Sequence, residues 1–239
     1  MIVKGTRQLG SFRRGINLYI PKNIATPELP IPLNGLKLWL KADAGVSLSG
    51  SNVTAWADQS GQNNNLSVTT TNPVFENNVI NGKPAIKFDG GRLDGTNIVT
   101  AKTIYAVIKT LASQPSQYAA ILEATGGSLY SAVLGNTWGS YFSIEIPANT
   151  TISANTAAVI ASISNDGISY EFRLNGQNNL TESDGEGFVS RSALYIGNDG
   201  STGQPANVYV SEIIIYDNLI SAEDITKIEN YLNSKYAIY

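Results

Sequence analysis

Three acidic residues alternate along the chain at Glu182, Asp184 and Glu186. In a strand, that spacing would set three carboxylates on one face. Two carboxyl groups with unlike pKa values are what hydrolysis of a glycosidic bond requires. Gly185 and Gly187 interrupt the segment, however. A loop this polar gives no reason for one carboxyl to hold its proton, so the segment reads as an acidic turn. The chain contains no His and no Cys. That excludes Ser-His-Asp and Cys-His triads, thiolate nucleophiles, zinc ribbons and disulfides. Catalysis would have to rest on Asp, Glu, Tyr, Lys or Arg, and the expectation is that the chain is not an enzyme.

Binding chemistry has more candidates. Asp58, Ser60, Asn63 and Asn65 make an oxygen-rich loop, and Asp89, Asp94, Asn198 and Asp199 add further hard ligands. Calcium would suit these residues, because it takes six to eight oxygens, backbone carbonyls among them. Asp58, Asn63 and Asp199 are the candidate ligands. Turn chemistry, in which Asp and Asn side chains bond nearby backbone, explains the same residues more simply. Trp39, Trp56 and Trp138 are the three tryptophans. Trp138 lies in the polar stretch 134–141 beside Tyr141, where the two rings would stack on a sugar or anchor a protein interface.

The elements that would position these residues are mostly strands. Ser169 to Leu174 alternates strictly, with Tyr170, Phe172 and Leu174 on one face. Tyr141 to Ile146 alternates likewise, with Phe142, Ile144 and Ile146 inward. Both are expected to be half-buried antiparallel strands. Thr103–Lys109 and Val208–Tyr216 are apolar on both faces, which predicts strands covered on each side. Asn81-Gly82, Asp89-Gly90, Asn165-Asp166-Gly167 and Asn175-Gly176 mark turns, and Asn-Gly after a strand signals a type I′ hairpin. One helix is predicted, at the C-terminus. Ser221 is its N-cap, Glu223 and Asp224 fall in the first turn, Lys235 falls in the last, and Ile225, Ile228, Tyr231 and Leu232 form an apolar face. No internal repeat, phosphate loop or dinucleotide fingerprint is present.

Charge divides the chain in two. Residues 1–32 carry five basic residues against Glu28, a balance of +4, whereas 33–239 carry 11 basic and 18 acidic residues, −7. Pro21, Pro27, Pro30 and Pro32 make 21–32 an extended spacer. The N-terminal segment also holds Phe12, Ile16, Leu18, Tyr19 and Ile20, an apolar stripe that a merely solubilising tail rarely carries. Residues 1–32 are therefore expected to be a docking arm, with Arg7, Phe12, Arg13, Arg14 and Tyr19 as its contact residues, and 33–239 a single domain. Nucleic acid is not the expected partner, because the acidic body repels phosphate. Hydrophobic residues at 42% and charged residues at 15% fit a packed domain rather than a disordered one. No apolar run reaches the roughly 18 residues of a membrane span. Met1 to Arg7 has no apolar run behind its charges, so no signal peptide is expected.

Several segments taken together resemble the concanavalin A-like lectin/glucanase superfamily in its laminin-G-like branch. They are Gly35–Asp43, Val53–Gly61 with Asn63-Asn64-Asn65-Leu66 behind it, Pro73–Phe75, Asn81–Gly90, Leu194–Gly197, Val210–Tyr216 and the closing helix. The resemblance covers about residues 33–239 and rests on strand motifs. It implies an all-β fold: an antiparallel two-sheet jelly-roll sandwich with one C-terminal α-helix, here behind an extended N-terminal arm. It also implies that Asp58 bonds its own loop and that Trp39 and Trp56, inside the strand motifs, lie in the core. Members of the superfamily bind glycans, cleave polysaccharides or serve as spacers in surface and virion proteins, and fold alone does not choose among these.

A docking arm, a proline-rich spacer, no secretion signal and a lack of reactive side chains together fit a virion structural protein of a tailed bacteriophage. Such a protein would assemble in the host cytoplasm, as a capsid decoration or head-fibre protein or on the tail. Its arm would bind other virion proteins in a multi-copy or homo-oligomeric assembly, and its lectin-like domain would face solvent. The alternatives are a stand-alone carbohydrate-binding module or host-recognition adhesin that takes surface glycans and, third, a polysaccharide-cleaving enzyme.

Overall fold

A computed structural model describes residues 29–95, 101–111, 118–124, 127–133, 137–141, 145–164, 169–183, 193–201 and 203–239; between 124 and 151 it describes the backbone alone. In chain order the first strands are β1 (Leu36–Lys41), β2 (Val46–Ser49), β3 (Asn52–Trp56), β4 (Leu66–Val68), β5 (Val74–Ile80) and β6 (Lys83–Asp89). Next come β7 (Leu93–Gly95), β8 (Thr103–Thr110), β9 (Tyr118–Ala124), β10 (Gly127–Val133), β11 (Thr137–Tyr141) and β12 (Glu145–Thr151). The last are β13 (Ala157–Ser164), β14 (Ser169–Leu174), β15 (Gln177–Ser183), β16 (Leu194–Ile196) and β17 (Asn207–Tyr216), followed by helix α1 (Ala222–Tyr236).

The pairings between strands are antiparallel and resolve into two sheets. In the first, β17 is central: β1 and β6 share one of its edges and β8 takes the other. That sheet continues through β13 to β14 and β15, and β5 lies outside β6. The second sheet runs β2-β3-β4-β7-β16-β9-β10-β11-β12. The Asn52–Val74 pair joins the sheets at one edge. The fold is thus all-β and antiparallel, a two-sheet sandwich closed by one C-terminal helix.

Period-two patterning decides which side chains meet. Ile104, Ala106 and Ile108 of β8 face the second sheet, together with Ile160, Phe172, Val208 and Ile213. Across the gap they meet Trp56, Leu66, Leu93, Ile121, Leu194 and Ile196. The alternate residues of the same strands, Tyr105, Val107 and Ile214, face outward, where Ile228, Leu232 and Tyr236 of α1 cover them. The two-faced apolarity of β8 and β17 therefore has two causes, a sandwich core on one side and a helix on the other. Residues 31 and 32, on the arm side of the expected boundary, are part of this packing. Ile31 is buried in the outer cluster, and Tyr216 Oη donates to the Pro32 carbonyl at 2.9 Å.

A bulge in β17 sets the polar joint between helix and sheet. Its register against β8 shifts between Val210 and Glu212. Val208 and Val210 face the sandwich before the shift, Ile213 and Ile215 after it. The bulge changes the inward parity and turns Glu212 out beneath α1. There the Glu212 carboxylate, with no exposed surface, accepts from Trp39 Nε1 (2.6 Å), Tyr231 Oη (2.9 Å), Lys235 Nζ (2.8 Å) and Tyr236 Oη (2.8 Å). Burial, with the Glu212 charge added, pushes both phenol pKa values far above their ordinary range.

Two of the expected turns are hairpins, and Asn165-Asp166-Gly167 lies outside the described residues. Asn81-Gly82 and Asn175-Gly176 each have positive φ at both positions and close two-residue hairpins. Ser221 caps α1 by accepting from Asp224 N at 3.1 Å. One expectation is corrected: Tyr141–Ile146 is not a single strand. Tyr141 ends β11 and pairs with Glu145 of β12, so the chain reverses between them. Within the polar stretch around Trp138, Thr137–Tyr141 forms β11.

Candidate functional site

The second sheet carries a polar row across its outer face. Leu93, Leu194, Ile196 and Leu122 point into the sandwich. Strand alternation puts Asp94, Tyr195 and Glu123 on the other side, and these three are directly opposite one another across β7, β16 and β9. All three are half-buried.

Arg92, almost fully buried, organises one end of the row. Its Nε and Nη2 donate to the two oxygens of Asp94 at 2.6 and 2.9 Å, a bidentate pair. Its Nη1 donates to the carbonyls of Asp199 and Gly200 at 2.8 and 3.0 Å. The guanidinium also lies over the Tyr195 ring, 4.9 Å from its centroid. Thr69 donates to the same Asp94 carboxylate. Arg92 and Asp94 are thus each held by several contacts.

The segment that leaves β16 closes over this row. Gly197 has φ +91°, and a Cβ there would lie 2.0 Å from the Phe88 ring, so only glycine fits. Asp199 then folds its own loop. Its carboxylate accepts from Gly203 N at 2.6 Å, Gln204 N at 3.1 Å and the Ser201 hydroxyl. Asn198 Oδ1 accepts from Asp199 N and Gln204 N. Gly200 N, at the loop's tip, donates to Glu123 Oε2 at 3.2 Å. Burial first, and then the Asp199 charge, push the Glu123 pKa from the ordinary 4.5 up to about 7; the Gly200 amide and Arg92 pull the other way.

The sequence-derived metal ligands fall into separate networks. Asp58 accepts from Trp39 N (2.9 Å), Ser60 N (2.9 Å), Ser60 Oγ (2.6 Å) and Asn64 N (3.0 Å), pinning its loop to β1. This is the loop-bonding role that the resemblance implied. Asn63 is exposed, in the left-handed region at φ 61°. Asp199 belongs to the Arg92 network, which shares no residue with that of Asp58. Among the described residues no group of three or more His, Cys, Asp or Glu is placed to hold a metal.

Trp138 and Tyr141 lie in β11, two strands beyond β9 in the same sheet; their side chains lie outside what is described. Arg7, Phe12, Arg13, Arg14 and Tyr19, with Asp184 and Glu186, lie outside the described residues. Trp39 and Trp56 are buried as expected, and Trp56 Nε1 donates to the Lys41 carbonyl at 2.9 Å. Sequence reasoning missed Arg92, Glu123 and Tyr195. One local signal existed: Glu123 is the single charged residue in Tyr118–Ala124.

No family model matches the chain, and no curated protein matches it in sequence. Solved structures do match it in shape. The binding domain of Paraclostridial Mosquitocidal Protein 1 superposes with a TM-score of 0.60 at 14% identity, over 83% of this chain and 52% of that one. The chain shares its two-sheet β-sandwich fold with that domain. The binding domain of Botulinum Neurotoxin serotype G gives 0.58 at 12% identity, over 82% of this chain and 51% of that one. Trypanosoma rangeli sialidase, in complex with the inhibitor DANA, gives 0.57 at 17% identity, over 83% and 33%. This chain thus spans about half of the toxin binding domains and a third of the sialidase. At such identities the likeness is one of fold.

Proposed function

We propose that the body of this protein is a non-catalytic binding module of lectin type that recognises a carbohydrate. The observation that carries this reading is the Asp94–Tyr195–Glu123 row on the outer face of the second sheet, held by Arg92. Sugars are bound by carboxylate acceptors, fixed donors and aromatic surface acting together, and rigid groups lose little entropy on binding. The shape likeness to two toxin binding domains supports the same reading.

The test is a glycan array probed with the full chain, followed by titration of the best ligand against Tyr195→Ala, Glu123→Ala and Trp138→Ala. Saturable binding that Tyr195→Ala weakens at least tenfold is expected. A blank array, or binding indifferent to the row, sinks the reading. Release of reducing ends from a polysaccharide would overturn its non-catalytic part.

The charge split favours a second element of this proposal. A +4 segment ahead of a −7 body is suited to docking on an acidic protein surface, so residues 1–32 anchor the module in a multi-copy assembly, a phage virion being the leading case. Copy number in purified particles decides it: a fixed ratio to the shell protein supports a decoration protein, a low ratio an adhesin, and absence removes the virion.

A further inference from the structure

We infer that Lys235 and Asp43 are partners in a self-formed amide bond, with Glu212 as the catalytic residue that moves the proton. Lys235 Nζ lies 3.0 Å from Asp43 Oδ1 and 2.8 Å from Glu212 Oε2. The Glu212 side chain is 0% exposed, that of Lys235 12% and that of Asp43 37%. Aromatic rings wall the site. The Trp39 indole and the Tyr231 and Tyr236 phenols all donate to Glu212, and Lys235 Nζ stands 5.8 and 5.2 Å from the two phenol ring centroids. The other described lysine–carboxylate pairs, Lys37–Asp217 and Lys87–Asp89, are solvated at both partners and bring no buried carboxylate.

The three ingredients of amide formation are therefore in contact: an amine, a carboxyl and a base between buried rings. Contact between Lys235 Nζ and Asp43 Oδ1 lets a proton pass between them, which gives the neutral pair that reacts. One proton passes from the Lys235 ammonium to the Asp43 carboxylate. The Nζ lone pair then attacks Asp43 Cγ, and the carbonyl electron pair moves onto oxygen. Glu212 takes a proton from the nitrogen of that tetrahedral intermediate and delivers it to the hydroxyl. The Cγ–O bond breaks, the carbonyl re-forms, and water leaves through the exposed side of Asp43. Glu212 ends as the carboxylate it began, and nothing is oxidised or reduced.

The product would tie the residues just after β1 to the last turn of α1, across 192 positions of sequence. The chain has no cysteine with which to make such a link. A load applied at the N-terminal segment would then reach α1 through a covalent bond rather than through side-chain packing. This inference does not depend on the glycan reading.

Intact mass spectrometry of the denatured full chain tests it. We expect a mass one water below that of the sequence, and a branched peptide joining Asp43 to Lys235 after proteolysis. Asp43→Ala and Glu212→Gln should both return to the full sequence mass. Wild-type protein at its full sequence mass, with Lys235 open to an amine-reactive label after denaturation, overturns the inference and leaves the cluster an ion pair. The wild-type peptide map decides the matter even where Glu212→Gln fails to fold.

Discussion

Glu123 is a carboxyl that keeps its proton to near neutrality, and this has a measurable consequence for stability. Its pKa stands at about 7 in the fold against an ordinary 4.5. Between those values the folded chain holds a proton that the unfolded chain has released, so stability falls as pH rises through the window. The contribution is fully present below 4.5 and lost above 7. Glu123→Gln mimics the protonated form. Its stability relative to wild type should therefore improve steadily from about pH 4.5 to about pH 7.5, as read by urea unfolding at several pH values. A flat difference would show that Glu123 titrates normally. Ala237 gives a second residue-scale test. It ends α1 at φ 49°, where an alanine is strained and its amide bonds Asn233 O at 2.7 Å. Ala237→Gly should stabilise the fold by about 1 kcal/mol in the same unfolding assay; a loss of stability would refute the strain. Roles at this scale were legible where partners are close in sequence. Asp58 bonds residues two and six positions on. Glu123 finds its amide 77 residues away and Glu212 its indole 173 away, and no local pattern reports such pairs.

Elements follow the same rule of range. Helix α1 was readable because its cap, its first-turn acids and its apolar spacing all lie within its own sixteen or so residues. The β11–β12 reversal was not, because the sequence from Tyr141 to Ile146 alternates without a turn signal, with Phe142, Ile144 and Ile146 at one parity. The helix also permits a comparison of forces. Its cap contributes one hydrogen bond at an exposed end, whereas Leu232 is wholly buried against Tyr105, Val107 and their neighbours. Ser221→Ala should cost about 1 kcal/mol, and Leu232→Ala about 2–5 kcal/mol. Chemical unfolding of the two variants checks the order. Equal losses would mean that local signals, rather than packing on β8 and β17, hold α1 in place.

At the scale of the whole molecule, alternation and turn chemistry pointed to antiparallel strands and the family resemblance implied the two-sheet sandwich, while the pairing order came from contacts no window of sequence contains. The start of the body is the point where sequence pattern and packing differ. Proline spacing set the boundary after residue 32, yet Ile31 is 1% exposed and sits with Leu36, Trp39 and Tyr216 in the cluster beneath α1. Burying an isoleucine contributes about 1.5–3 kcal/mol, and the Tyr216–Pro32 hydrogen bond adds about 1 kcal/mol. Without Pro32, the buried Tyr216 hydroxyl would lose the acceptor it bonds. A chain that begins at residue 29 should therefore unfold at the same urea midpoint as the full chain, because every contact described for the body is retained. A chain that begins at residue 34 should lose roughly 3 kcal/mol, and Ile31→Ala in the full chain should lose a comparable amount. If the chain from residue 29 failed to fold, residues 1–28 would belong to the core rather than to a docking arm. If the chain from residue 34 matched it in stability, Ile31 would contribute nothing to the body. The outcome expected, stability intact from 29 and impaired from 34, makes Ile31 and Pro32 part of the packing between the first sheet and its helix.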